Sequence, residues 1–313
     1  MRFWRAEKAN LSTYLIDELR RRGDYFDPVT ADPAALEQAR GECEIIVSSS
    51  VSPVEGELIR AMPRLRLIAN YGVGYDGIDL AACAERGVLV SNTPDVLTDD
   101  VADIAVALYL TTIRNIVGLH QYTREGQWGQ QAYELTTSAS GLKVGMVGFG
   151  RIGQEIAKRL TVLKSLVGYF ARTQRDVPYR FFPDLLEMAR EVDCLIVIVN
   201  ATDETYHLIN AEVLQALGPQ GYLINVARGS VVDTAALITA LQQHQIRGAG
   251  LDVFEHEPHV EEELRRLPNV VLSPHAGSAT THSRTLMANL VLQNIDSYMD
   301  SGLLLTPVAL PSC

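Results

Sequence analysis

Apolar residues follow two alternating rhythms along the chain. Short continuous runs at 44–47, 65–69, 88–90, 144–147, 166–170, 194–199, 222–227, 249–254 and 270–273 read as strands. Between them, apolar residues recur at helical spacing. Leu11, Leu15, Ile16 and Leu19 share one face of 11–22, residues 58–62 end a helix, and 185–190 form another. From Thr98, a possible cap, with Asp99 and Asp100 in the first turn, Val101, Ile104, Ala105, Leu108, Thr112, Ile113 and Ile116 predict one helix of about five turns. The run 194–199 is apolar throughout, as expected of a strand buried on both faces of a parallel sheet. Strand–helix alternation of this kind predicts an α/β protein. The first strand should lie within residues 2–9, although that stretch is polar.

Two stretches interrupt the rhythm. Asn92-Thr93-Pro94 breaks it, and 92–98 reads as a crossing between domains. Residues 125–140, with Trp128 and Tyr133, show little periodicity; such a segment is equally a functional or interfacial loop and a plain surface loop.

Residues 143–173 carry the clearest chemistry. A strand leads directly into Gly148-Phe149-Gly150-Arg151-Ile152-Gly153, then a helix with Ile152, Ile156, Ala157, Leu160 and Leu163 on one side, then a second strand. In that context Gly148 permits the tight turn, Gly150 lets a pyrophosphate approach the backbone, and Gly153 lets the helix pack on the strand. The free N–H groups of the helix N-terminus would hold the pyrophosphate. A site built for NAD(H) would place an acid about 20 residues further on. Here 166–173 has none, and Arg172 stands just beyond the second strand with Arg175 close behind. A guanidinium pairs with a 2′-phosphate that a carboxylate would repel, so NADP(H) is expected over NAD(H). The alternative is a solvated loop arginine.

Three later strands end on three chemical groups. The run 222–227 leads to Arg228-Gly229, 249–254 to Glu257-Pro258, and 270–273 to Pro274-His275. In an open parallel sheet the C-terminal strand ends form the ligand crevice. Arg228 can orient the carboxylate and ketone oxygens of a 2-keto acid. His275 is a general acid suited to neutral pH, and Glu257 would favour its imidazolium and fix its tautomer. Each alone could be a structural residue; their combination beside a dinucleotide motif favours catalysis. Upstream, Asn70-Tyr71-Gly72-Val73-Gly74-Tyr75-Asp76 follows a strand, and reads equally as a cradle for a substrate carboxylate or an ordinary turn.

Composition narrows the setting. With 313 residues the chain can hold two domains, and its net charge of −11 argues against nucleic acid or an anionic membrane as the main partner. Cys43, Cys83, Cys194 and Cys313 form no C-x-x-C pair and no His cluster accompanies them, so no metal site or disulfide framework is expected and a cytoplasmic location is. The run 195–199 is far too short to span a bilayer, and Glu7, Lys8 and Asn10 stand where a signal peptide would need its apolar core.

The motifs Asn92-Thr93-Pro94, Gly148 to Gly153, Asn225-Val226-Ala227-Arg228-Gly229, Leu251-Asp252-Val253-Phe254 with Glu257-Pro258, and Pro274-His275-Ala276-Gly277-Ser278 together resemble the D-isomer-specific 2-hydroxyacid dehydrogenases. Residues 92–103 look most like the branch of NADPH-dependent glyoxylate, hydroxypyruvate and hydroxyphenylpyruvate reductases. The resemblance implies two Rossmann-like, doubly wound parallel-sheet domains with a cleft between them: a substrate domain of residues 1–93 plus 283–313, to which a helix at about 283–301 returns, and an NADP(H)-binding domain of 94–282. It implies Arg228, Glu257 and His275 as catalytic residues, Val73 and Gly74 N–H groups on the substrate carboxylate, and Asp252 on the nicotinamide amide. Candidate cofactor contacts are Gly148, Phe149, Gly150, Arg151, Ile152, Gly153, Arg172, Thr173, Thr205, Val226, Ala227, Asp252 and Gly277. Ser50, Val73, Gly74 and Arg228 are the candidate substrate contacts; Ser49, Trp128 and Tyr133 are further candidates for side-chain selection. A homodimer is implied, as is the absence of the extra regulatory domain of some phosphoglycerate dehydrogenases. Asn200-Ala201-Thr202 departs from the family's Pro-Leu-Thr, which bears on the adenine side, and Glu257 argues against the formate dehydrogenase branch. The expected activity is NADPH-dependent reduction of a small anionic 2-keto acid to the D-2-hydroxy acid. The competing function is a nucleotide-sensing binding protein on the same scaffold, as the family's corepressors are.

Overall fold

A five-stranded and a seven-stranded sheet, both entirely parallel, account for all the named strands. They were defined in a computed structural model that describes residues 1–311. Of the cysteines, Cys313 lies outside the described residues; Cys43, Cys83 and Cys194 are free and buried. The chain divides into two units, Met1–Leu97 with Thr280–Cys313, and Thr98–Ala279.

The first unit runs β1 (Arg2–Arg5), α1 (Thr13–Arg22), β2 (Asp24–Phe26), α2 (Pro33–Glu42), β3 (Ile45–Ser49), α3 (Gly56–Ala61), β4 (Leu67–Tyr71), α4 (Leu80–Arg86) and β5 (Leu89–Ser91), with sheet order β2-β1-β3-β4-β5. The strand with the weakest signal, β1, is thus an interior strand. Phe3 and Trp4 are buried at its centre, while the arginines that made it look polar find carboxylates: Arg2 meets Asp24 and Glu42, and Arg5 meets Asp27 at 2.6 Å. Helix α2 has no buried residue and so no apolar stripe to read; its start is set instead by the Asp32 cap and Pro33 in the first turn. β4 runs on past the apolar stretch that predicts it, so that Asn70 and Tyr71 are strand residues.

The second unit runs α5 (Thr98–Ile113), α6 (Ile116–Arg124), β6 (Lys143–Val147), α7 (Arg151–Val162), β7 (Leu166–Phe170), β8 (Arg180–Phe182), α8 (Leu185–Glu191), β9 (Cys194–Val197), α9 (Ala211–Leu217), β10 (Tyr222–Asn225), α10 (Thr234–Gln242), β11 (Gly248–Leu251), α11 (Glu262–Arg266) and β12 (Val270–Leu272). Its sheet order is β12-β11-β10-β9-β6-β7-β8, which reverses direction between β6 and β9. Alternate residues feed opposite faces. Leu195, Val197 and Leu223 join one apolar cluster, and Cys194, Ile196, Tyr222 and Ile224 the other. This double burial is why the strands read as unbroken apolar runs. Each fully buried Leu, Ile or Val contributes about 1.5–3 kcal/mol.

The periodic run expected to form one helix through Ile116 is two helices bent by 61°. Asn115 takes the left-handed conformation (φ 45°) between them and its amide donates to Tyr133 Oη at 2.6 Å. Asn tolerates that region better than most residues. Ile116 continues the spacing of α5 but is solvent-exposed. No single helix among the described residues is long and apolar enough to cross a membrane.

A last helix, α12 (Thr281–Ser301), belongs to the first unit, where it packs on α1 and β4. Tyr14 donates to Asn289 at 2.8 Å, Arg22 pairs with Asp296 at 3.1 Å, and Tyr71 Oη donates to the Arg284 carbonyl at 2.9 Å.

Candidate active site

The three glycines between β6 and α7 meet three different demands. Gly148 has φ +97°, and a Cβ on it would lie 2.6 Å from the Ile198 carbonyl oxygen. A Cβ on Gly153 would lie 2.9 Å from the Gly148 carbonyl oxygen, so helix and turn touch backbone to backbone. A Cβ on Gly150 would meet nothing within 4 Å. Gly150 is also the N-cap of α7 and makes no side-chain hydrogen bond to the N–H groups of its first turn. The turn fits a pyrophosphate. Phe149 points the other way, buried and stacked on Tyr169 at 4.2 Å, so only its backbone is available to a ligand. Arg151 is exposed and Ile152 half-buried.

Beyond β7, Arg172, Thr173 and Arg175 are exposed, and neither arginine forms an ion pair among the described residues. Thr205 is engaged locally. Its hydroxyl accepts the Thr202 N–H at 2.9 Å and donates to the Asn200 carbonyl at 2.7 Å, closing the loop after β9. Val226 and Ala227 are buried at the end of β10.

Arg228, Glu257 and His275 all lie in the second unit, beyond the C-terminal ends of the adjacent strands β10, β11 and β12. His275 Nδ1 and Glu257 Oε2 are 2.8 Å apart, and the other carboxylate oxygen accepts the Phe254 N–H at 3.0 Å. Burial pushes the Glu257 carboxyl up, but the His275 hydrogen bond and charge, the Phe254 N–H and the Arg228 charge outweigh it, so it lies below the usual carboxylate range. An ionised Glu257 only accepts hydrogen bonds, which puts a proton on His275 Nδ1 and leaves Nε2 for exchange. Arg228 is half-buried, with Nη1 on the Ala227 carbonyl at 2.8 Å. Asn225 clips the turn before it, donating to the Arg228 carbonyl at 2.9 Å and accepting the Ala227 N–H at 3.0 Å.

Asp252 anchors the histidine loop. It is 2 % exposed, and its two oxygens accept the N–H groups of Ala276 (2.8 Å) and Gly277 (2.9 Å), while its carbonyl accepts the His275 N–H at 2.7 Å. His275 is thereby held at φ +53°, a left-handed conformation uncommon outside glycine. Asp252→Asn turns one acceptor into a donor facing an N–H. We expect it to cost about 1.5–3 kcal/mol, the range for a buried hydrogen bond to a charged group. Urea unfolding beside the exposed control Asp176→Asn checks this; equal midpoints would remove the anchor.

Ser50, Val73 and Gly74 lie in the first unit. A Cβ on Gly72 would come 1.8 Å from Ser50 Oγ, so that hydroxyl sits against the 72–74 loop. Ser49 is buried and hydrogen-bonded to Ser52 at 2.7 Å. Trp128 is 80 % exposed, and Tyr133 packs edge-on against Tyr122.

Residues 106–277, over half the chain, match the model of the D-isomer specific 2-hydroxyacid dehydrogenase, NAD binding domain. The chain belongs to the D-isomer-specific 2-hydroxyacid dehydrogenases. It is 42% identical to glyoxylate/hydroxypyruvate reductase A of Arabidopsis thaliana, over 95% of this chain and 96% of that one. It is 43% identical to hydroxyphenylpyruvate reductase of Plectranthus scutellarioides, with the same coverage. Among solved structures, the NADPH-dependent glyoxylate/hydroxypyruvate reductase of Sinorhizobium meliloti in complex with NADP and malonate superposes with a TM-score of 0.93, at 43% identity, over 98% of this chain and 96% of that one. As in the dehydrogenase family at large, a nicotinamide cofactor is the expected occupant of the Gly148–Gly153 turn. The pair His207–Glu255 near this dehydrogenase's site escapes a motif search, closing at 2.8 Å across a long sequence separation; Gly229 lies in a motif, but its tightness shows only once β10 and β11 are neighbours.

Proposed function

We propose that this dehydrogenase is an NADPH-dependent reductase that converts a small 2-keto acid, such as glyoxylate or hydroxypyruvate, to the D-2-hydroxy acid. The observation that carries the reading is the His275–Glu257 pair at 2.8 Å beside the charge of Arg228. When bound, the nicotinamide supplies the hydride. Arg228 offers a rigid fork of donors to the carboxylate and the keto oxygen. His275 Nε2 gives a proton to the oxygen that becomes the hydroxyl, and Glu257 stabilises the charge the ring carries beforehand. In the oxidative direction the neutral ring takes that proton back. The backbone N–H groups of Val73 and Gly74 are proposed to bind the carboxylate. The relatives named for glyoxylate, hydroxypyruvate, hydroxyphenylpyruvate and 2-ketogluconate support this substrate class. Following NADPH oxidation with those four keto acids tests it; tight NADPH binding without turnover on any of them would favour a sensor instead.

The preference for NADPH over NADH rests on Arg172 and Arg175, exposed where an acid would hold a ribose. Arg172→Ala should raise the KM for NADPH roughly tenfold to hundredfold, the loss of one charge-assisted hydrogen bond, and leave NADH use nearly unchanged. Equal effects on both cofactors in steady-state kinetics would overturn the assignment. A reducing cytoplasm suits the free buried cysteines Cys43, Cys83 and Cys194. A homodimer suits the apolar residues Ile116, Val117, Trp128 and Leu135 that α6 and the loop after it expose.

A further inference from the structure

We propose that Asn70 and Asn92 are positioning residues that turn the 72–74 backbone into a three-donor carboxylate seat, made by the N–H groups of Val73, Gly74 and Tyr75. The inference rests on the reading of the substrate as a carboxylate and goes beyond it in naming what builds the seat and a third donor.

Three successive carbonyls are tied down. The Asn70 amide nitrogen donates to the Gly72 carbonyl at 3.1 Å and to the Gly74 carbonyl at 2.8 Å. The Asn92 amide nitrogen donates to the Val73 carbonyl at 2.9 Å. The Thr93 N–H reaches the Gly72 carbonyl at 2.9 Å, so the Asn92-Thr93 backbone lies on the same side of the loop as Asn70. Asn70 is 1 % exposed, and its amide oxygen accepts the Ser48 hydroxyl at 3.0 Å. That bond fixes which end of the amide faces the loop.

A trans peptide is planar, with each N–H directed opposite the preceding carbonyl. Carbonyls of residues 72, 73 and 74 held toward Asn70 and Asn92 therefore turn the N–H groups of residues 73, 74 and 75 the other way. None of those three N–H groups donates to another group among the described residues, and all three residues are half-buried rather than enclosed. Consecutive backbone N–H groups on one side of a loop form an anion-binding concavity. Buried asparagines at the edge of an apolar sheet are costly unless fully bonded. Here Asn70 uses both donor hydrogens and its acceptor on the seat and its support. Asn70 governs the N–H groups of Val73 and Tyr75, and Asn92 governs that of Gly74.

Oxalate serves as the carboxylate probe, titrated calorimetrically into the full-length protein saturated with NADP. Asn92→Asp keeps the side chain's size but replaces the donor by an acceptor; Asn92→Ala removes both. Each should weaken oxalate roughly tenfold or more, as expected for hydrogen bonds to a charged group, and leave NADPH affinity within about twofold. In turnover the loss should appear in the KM for the keto acid more than in kcat. Asn70→Asp should weaken oxalate further, because it releases two carbonyls rather than one. If the buried Asn70 variant does not fold, the Asn92 pair still decides. Wild-type protein that fails to bind oxalate, or Asn92 variants that bind it as tightly as wild type, would overturn the seat. Oxalate affinity that falls as expected in a protein that reduces no 2-keto acid would leave the seat standing and sink the functional reading instead.

Discussion

His275→Ala should lower kcat by about two to four orders of magnitude while NADPH binding is retained. The size follows from the role proposed for it, since a positioned general acid contributes within that range. Glu257 lies below the usual carboxylate range and holds no proton to give at neutral pH. Retention of the cofactor follows from position. His275 stands after β12 at the edge of the sheet, whereas Gly148–Gly153 leads out of β6. The fold should also survive. The loop is held by the Asp252 carboxylate on Ala276 and Gly277 and by backbone bonds of His275, none of which uses the imidazole. The substitution does leave Glu257 Oε2 without its partner, so His275→Gln is the better-matched control, restoring a neutral donor without a titrating group. Pre-steady-state mixing of enzyme, NADPH and keto acid checks this, with NADPH fluorescence reporting cofactor binding separately. Turnover within about tenfold of wild type would take His275 out of proton transfer.

The order in which features were readable from the chain follows their physical range. Strands buried on both faces announce themselves, and β6, β9 and β10 lie where unbroken apolar runs put them. The glycine turn is readable because its three demands are local: a positive φ, an open approach and a contact within six residues. Elements without a buried stripe are not readable in this way. α2 buries nothing, α6 buries nothing, and β8 is a three-residue edge strand. The break at Asn115 stays hidden because Ile116 keeps the spacing of α5 while facing solvent. The grouping of Arg228, Glu257 and His275 is inferable from sheet logic, as ends of successive parallel strands, and from the family motifs that carry them. What holds them is not. Asp252 stands out in the sequence as a motif residue with a cofactor role, but that its oxygens hold Ala276 and Gly277 shows only in the fold. Asn70 and Asn92 act on carbonyls, and a sequence records no carbonyl direction.

Gly229→Ala should reduce kcat/KM by about a hundredfold or more and destabilise the fold at the same time, although it adds a single methyl group. A Cβ there would lie 1.9 Å from the Phe254 carbonyl carbon, 2.1 Å from its oxygen and 2.2 Å from the Glu255 nitrogen. All three are backbone atoms, so no side chain can swing aside, and the loops after β10 and β11 must part by roughly 1 Å or more to reach normal contact. Overpacking of this kind costs typically about 1–3 kcal/mol, and relief is opposed from the other side. The His207 N–H donates to the Ser230 carbonyl at 2.9 Å and its ring bonds Glu255 at 2.8 Å, clamping the same two loops together. Those loops carry the groups proposed to act on the keto acid. Arg228 directly precedes Gly229, and the Phe254 N–H holds the carboxylate of Glu257 that orients His275. A displacement of about 1 Å at a catalytic group can cost a hundredfold in rate. The effect should therefore fall on the keto acid step, with NADPH affinity changed far less, because the glycine turn after β6 is not part of the clamp. His207→Ala provides the comparison. It loosens the clamp without forcing the loops apart, and should lose much less activity. Steady-state kinetics and thermal unfolding of the two variants decide the matter. A Gly229→Ala protein with wild-type kcat/KM would show that the distance between these loops does not set the geometry of Arg228 and Glu257.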